Sequence, residues 1–213
     1  MKTRLIFIRH GFSEYNKEGL FTGQADVALT EIGLKQAERA AEYVDAMQID
    51  CIYASPLSRA YETGLAVARK KHLQIIVEPG LSEINGGDWH GKAYAEMKEI
   101  DSVQQKLWTE DMIHCQCPNG ESVREFAARV YDTVTKIATE HEGKTVCIAT
   151  HATPIRVITC YALGFDTEYI QHVPWTPNAS INIIDYENGV FRFVERDITE
   201  HLVDLKTNLP SDV

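Results

Sequence analysis

Four short runs of apolar and β-branched residues constrain this chain more than any other feature: Arg4–Arg9 (R-L-I-F-I-R), Cys51–Ser55, Ile75–Glu78 and Thr145–Thr150 (T-V-C-I-A-T). Near-continuous apolar character marks strands covered on both faces, as in a parallel sheet, whereas half-exposed strands alternate. Parallel strands need long crossovers, and the intervening segments carry helical periodicity. Leu34, Ala37, Ala41 and Val44 share one face of the first helix; Val123, Phe126, Val130, Val134 and Ile137 form a stronger stripe later. That second helix opens with Ser122-Val123-Arg124-Glu125, a capping-box pattern. Ser55-Pro56 and Thr153-Pro154 each read as an N-cap followed by proline at the first helical position. Near the end, Ile181–Tyr186 and Val190–Glu195 flank Asn188-Gly189, the dipeptide favoured in type I′ hairpins. The expected fold is α/β: a three-layer α/β/α sandwich with a mostly parallel central sheet and a C-terminal antiparallel hairpin. No repeat or linker interrupts the 213 residues. One domain over 1–213 is expected, with residues 86–120 as a lid or specificity segment and residues 200–213 as a loose polar tail.

Charge narrows the partners. With 31 acidic residues against 21 basic ones the chain carries a formal charge of -10, which argues against nucleic acid, whose backbone needs clustered cations. A small phosphorylated ligand is compatible, because a few local arginines can reverse the field inside one pocket. The N-terminal apolar run, Leu5–Ile8, is far too short for a signal-peptide core or a membrane span. Five cysteines, an odd number, form no disulfide framework, so a reducing cytoplasm is the expected location. Nothing in the sequence separates a monomer from a homodimer.

Open α/β sheets bind ligands at the carboxyl ends of their strands. There the first strand ends in Arg9-His10-Gly11, the second leads into Ser55-Pro56-Leu57-Ser58-Arg59, and the strand at 145–150 ends in Thr150-His151. Two histidines and two arginines thus meet at one edge. Arg59 falls in the first turn of a helix, where a cation opposes the dipole, a misfit that an anion bound at that terminus would relieve. Arginine offers paired donors to phosphate oxygens, and a neutral imidazole is a nucleophile that needs no metal. Neighbouring arginines keep such an imidazole unprotonated, and a protonated His151 would stabilise the transferring group.

Arg9-His10-Gly11-Phe12-Ser13-Glu14-Tyr15-Asn16 resembles the R-H-G-x-T/S-x-x-N motif of the histidine phosphatase superfamily. Five further blocks follow in that family's order: Thr22-Gly23 with Leu29-Thr30 and Gly33; Ser55-Pro56-Leu57-x-Arg59-Ala60-x-x-Thr63; Leu81-x-Glu83 with Gly87-x-Trp89-x-Gly91; Pro118-x-Gly120-Glu121-Ser122; and Thr150-His151-Ala152. The resemblance implies a phosphatase acting on small phosphorylated metabolites through a phosphohistidine on His10. Arg9, Arg59 and His151 would form the phosphate pocket, Glu83 would be the general acid and base, and no metal or cofactor would be needed. Asn16, Thr22, Gly23 and the Ala152 N–H would make secondary substrate contacts. Phe12, His90 and Ala152 depart from the usual acidic, acidic and glycine residues of these blocks, which bears on substrate preference. The alternatives are a cofactor-dependent phosphoglycerate mutase, an α-ribazole phosphatase, or a non-catalytic phospho-ligand-binding protein. No Arg-Arg pair of the kind expected in a mutase occurs in the chain.

Other chemistries lack their parts. No cysteine is followed six positions later by arginine, and no G-x-x-x-x-G-K-S/T, H-E-x-x-H or G-x-S-x-G motif is present. His114-Cys115-Gln116-Cys117 has no second ligand pair at zinc spacing and reads as a loop with two thiols. Trp89, Trp108 and Trp175 are expected in the core or at its rim.

Overall fold

β1 (Thr3–Arg9) lies inside a six-stranded sheet in the computed structural model, which describes residues 1–207. In chain order there follow α1 (Glu14–Glu18), α2 (Glu31–Val44), β2 (Cys51–Ala54), α3 (Ser58–Lys71), β3 (Ile75–Val77), α4 (Tyr94–Ile100), α5 (Ser102–Glu110), α6 (Val123–Glu140), β4 (Thr145–Thr150), α7 (Ala152–Ala162), β5 (Ile181–Glu187) and β6 (Val190–Ile198). The strand order is β3-β2-β4-β1-β5-β6. The first four run parallel; β5 is antiparallel to β1, and β6 to β5. Asn188 and Gly189 take φ of 52° and 80°, as a type I′ turn requires.

Alternating side chains of β1 feed two cores, one on each face. Leu5 and Phe7 pack with Val146, Ile148 and the Phe126, Val130 and Val134 stripe of α6. Ile6 and Ile8 pack with Ile52, Cys147, Ala37, Ala41 and Val44. Helices on both faces of a mostly parallel sheet give the three-layer architecture that the sequence implies.

Several local expectations need correction. β3 is an edge strand, and its Ile76 and Val77 are exposed rather than covered on both faces. Leu34 is exposed too, while Gln36 and Ala40 join the buried face of α2. Ser55-Pro56 does not cap α3, whose N-cap is Leu57 with no side-chain bond. The cap comes instead from another loop: Asp26 accepts from the Ser58 N–H at 2.7 Å and from its hydroxyl at 2.9 Å. Thr153-Pro154 lies inside the first turn of α7, whose N-cap is His151. The expected loose tail is ordered at its start, where Glu200–Leu205 forms 3₁₀ turns with Leu202 buried and the Leu205 carbonyl bonded to Gln36. Residues 208–213 of that tail lie outside the described residues. Among the described residues no helix is long and apolar enough to cross a membrane.

Candidate active site

β1 and β4 end side by side, so their last residues deliver Arg9-His10 and Thr150-His151 to one edge. The His10 N–H still continues the ladder to the Thr150 carbonyl at 2.9 Å, and the His10 carbonyl accepts from Ala179 N–H and the Asn178 side chain. Asn178 also donates to Asn16 at 3.0 Å, tying three segments to the histidine backbone. The loop is pinned from the other side as well. A Cβ on Gly11 would sit 2.3 Å from the Gly33 carbonyl oxygen, and one on Gly33 would sit 2.1 Å from that of Phe12, so neither position has room for a side chain.

His10 is buried, with Nδ1 2.7 Å from the Gly11 carbonyl. A carbonyl only accepts, so Nδ1 carries the hydrogen and Nε2 keeps its lone pair. Burial first, then the charges of Arg59 and Arg9, hold its pKa well below the ordinary histidine range. The imidazole is neutral at physiological pH, as the sequence leads one to expect.

Both arginines are buried at the same place. Arg9 donates to the Thr176 carbonyl, and Thr176 is itself bonded to Ser180 and Asp197. Arg59 donates to the carbonyls of Ala25 at 2.8 Å and Gly23 at 2.6 Å. Burial lowers each guanidinium to about 10, which still leaves both charged at neutral pH. Arg9 Nε, Arg59 Nε and His151 Nδ1 are buried with no hydrogen-bond partner among the described residues. A buried guanidinium N–H is costly unless something accepts from it, and both arginines line the cleft, where an oxyanion is the matching acceptor.

His151 packs edge-on against His10, ring centroids 5.2 Å apart, with Nε2 2.8 Å from the Ser55 hydroxyl. Burial, then Arg59, His10 and Arg9, hold its pKa well below the usual range, so His151 is neutral in the free site. It does not itself line the cleft.

Glu83 stands at the opposite wall. Its Oε1 accepts from Ile84 N–H at 2.8 Å and its Oε2 from Thr153 N–H at 3.2 Å, in the first turn of α7. Arg129 of α6 steadies the loop by donating to the carbonyls of Gly80 and Ser82 at 3.0 and 3.1 Å. His90 is structural: its Nε2 accepts from Gln24 and Gly86 N–H groups, stitching the Thr22–Gln24 loop to the acid loop, and burial lowers its pKa.

The cleft takes in about 570 Å³, its open mouth included. Of the residues singled out in the sequence, Arg9, His10, Asn16, Thr22, Gly23, Arg59, Glu83 and Ala152 line it; Phe12 does not. Tyr94, Arg129 and Asn178 escape a reading of the sequence. A tyrosine on a short helix, an arginine on a polar helix face and an asparagine in a loop carry no local signal. Trp108 and Trp175 also line the cleft, while Trp89 is wholly in the core. The assembly can hold a tetrahedral dianion between buried cations, present a neutral imidazole to it, and place a carboxyl group beside it.

A fold of this topology with these groups at its carboxyl edge defines a phosphoric monoester hydrolase of the histidine phosphatase type. Residues 5–199 match the histidine phosphatase superfamily, branch 1, and the chain belongs to that family. Phosphoserine phosphatase 1 of Hydrogenobacter thermophilus is 33% identical over 202 residues, covering 93% of this chain and 94% of that protein. YhfR of Bacillus stearothermophilus superposes with a TM-score of 0.88 at 28% identity, over 94% of this chain and 99% of the other. A histidine-to-alanine mutant of Entamoeba histolytica phosphoserine phosphatase, solved with phosphoserine, superposes with a TM-score of 0.83 at 25% identity, over 94% and 99%.

Proposed function

We propose that this enzyme hydrolyses small phosphorylated metabolites by carrying the phosphoryl group on Nε2 of His10, without a metal or cofactor. The observation that carries this reading is the neutral, buried His10 imidazole. Its Nδ1–H is committed to the Gly11 carbonyl, leaving Nε2 for the cleft between Arg9 and Arg59. In the first step Nε2 bonds to phosphorus, the ester P–O bond breaks, and the departing oxygen takes a proton from Glu83. In the second, Glu83 takes a proton from water, whose oxygen attacks phosphorus as the N–P bond breaks, releasing inorganic phosphate.

The arginines stabilise charge on the non-transferring oxygens, with Asn16, Thr22, Gly23 and the Ala152 N–H as secondary contacts. A bound dianion beside His151 favours its protonated form, so His151 takes up its proton with substrate rather than before it. The chain acts as one domain in which residues 86–120 bring Tyr94 and Trp108 to the cleft as a specificity segment. Hydrolysis is favoured over mutase activity because, among the described residues, Arg9 and Arg59 are the only lysine or arginine residues lining the cleft, and both are taken up by the transferring phosphoryl group.

The test is a rapid quench with radiolabelled p-nitrophenyl phosphate in the presence of EDTA. The expected result is label on the protein that survives alkali, is lost in acid, and is absent from a folded His10→Ala variant. Turnover by that variant near the native rate, or complete loss of activity on chelation, overturns the proposal.

A further inference from the structure

We infer that the alcohol half of the substrate is apolar and ring-bearing, and carries no carboxylate. This rests on the reading above, in which the phosphoryl group lies against Arg9, His10 and Arg59. Besides these groups and the polar Asn16, Thr22 and Thr153, the lining includes Leu20, Phe21, Ile84, Tyr94, Trp108 and Trp175. The aromatic members hold one another. The Phe21 centroid lies 5.2 Å from Trp108 and 6.1 Å from Tyr94, and Trp108 lies 6.3 Å from Trp175. Such a surface welcomes a flat ring and gives a carboxylate no cationic partner of its own, so an acidic alcohol would recover only part of the hydration it loses.

The cation packed behind Trp175 is already engaged. Arg156 is buried behind Trp175, its guanidinium 4.0 Å from the indole centroid, and donates to the Val173 carbonyl at 2.9 Å and the Ile170 carbonyl at 2.7 Å. Glu83, the one acidic residue lining the cleft among the described residues, has both oxygens bonded to N–H groups of Ile84 and Thr153, so neither N–H is free for a substrate carboxylate. Phosphoserine and phosphoglycerates are therefore poor fits for this chain, although two relatives are named for the former.

The experiment compares kcat/KM for four alkyl phosphates: 2-phenylethyl phosphate, ethyl phosphate, O-phosphoserine and 3-phosphoglycerate, followed by phosphate release. Burial of the ring should raise 2-phenylethyl phosphate at least about tenfold over ethyl phosphate, with both carboxylates below ethyl phosphate. Trp108→Leu should shrink the phenylethyl-to-ethyl ratio several-fold, and Trp175→Leu reads the same ratio if the first variant does not fold. O-phosphoserine or 3-phosphoglycerate turned over as well as the phenylethyl ester would overturn the substrate class while leaving the hydrolase intact. No release from any ester, with no label on His10, would overturn both.

Discussion

Arg129 and Glu121 face each other in a forked ion pair, with Nε 2.9 Å from Oε1 and Nη2 2.9 Å from Oε2. Each partner also holds the acid loop: Arg129 through the Gly80 and Ser82 carbonyls, and Glu121 through the Asn85 N–H at 2.8 Å. The pair thus brackets Glu83 from behind without touching the cleft. Arg129→Met is expected to lower kcat with alkyl phosphates by about 10–100-fold, as small misplacements of a proton donor do. The loss should be smaller with p-nitrophenyl phosphate, whose oxygen leaves unaided. Arg129→Lys should recover little, since a point charge cannot reproduce the fork. Equal losses on both ester types would mean that Arg129 only supports the fold.

Glu83→Gln removes the proton but keeps the shape. Steady-state rates should fall about 10²–10⁴-fold for alkyl esters and much less for p-nitrophenyl phosphate in the first step. Equal losses on both would argue against proton donation by Glu83.

His10 and His151 are both buried with pKa values depressed well below the ordinary 6.5, so folding favours their neutral forms. The unfolded chain binds these two protons near pH 6.5 and the folded chain only at lower pH. Their contribution is therefore complete above pH 6.5 and is lost as pH falls from there toward the folded values, by up to about 1.4 kcal/mol per pH unit for each histidine. Urea melts from pH 7.5 to 5 should show this decline, shallower in His10→Ala. Vanadate, a phosphate analogue, should raise stability by binding the folded site alone. A pH-independent midpoint across this window would contradict the buried neutral pair.

Gly33→Ala tests the pinning of the catalytic loop, because the new Cβ would meet the Phe12 carbonyl oxygen at 2.1 Å. A loss of about 1–3 kcal/mol is expected in denaturant melts, with kcat falling as Gly11 and His10 shift. An unchanged midpoint and rate would show that the loop yields freely.

Much of this site was legible because its groups occupy strand ends. Arg9, His10 and His151 follow directly from apolar runs whose termini must share an edge, and Arg59 from its awkward place in a helix's first turn. Glu83 was reachable only through the family resemblance, since a loop glutamate looks like any other. The two misread caps have different causes. The Ser55 hydroxyl is shared between His151 and the Leu57 N–H, while α7 already begins at Ala152, so Thr153 lies inside the helix with its N–H held by Glu83. Local sequence cannot show that Asp26 reaches across to serve α3 instead.

The position of β4 has a consequence for how the enzyme comes into being. It fills the gap between β1 and β2, although more than a hundred residues separate it from β1. A ribosome making this chain must release residues 145–150 before the Leu5–Ile8 strand meets either of its neighbours. Until then the nascent chain carries an unpartnered apolar strand that invites chaperones and self-association. It also carries a His10 with no His151 beside it, so the candidate site is complete only once the chain through residue 151 has emerged.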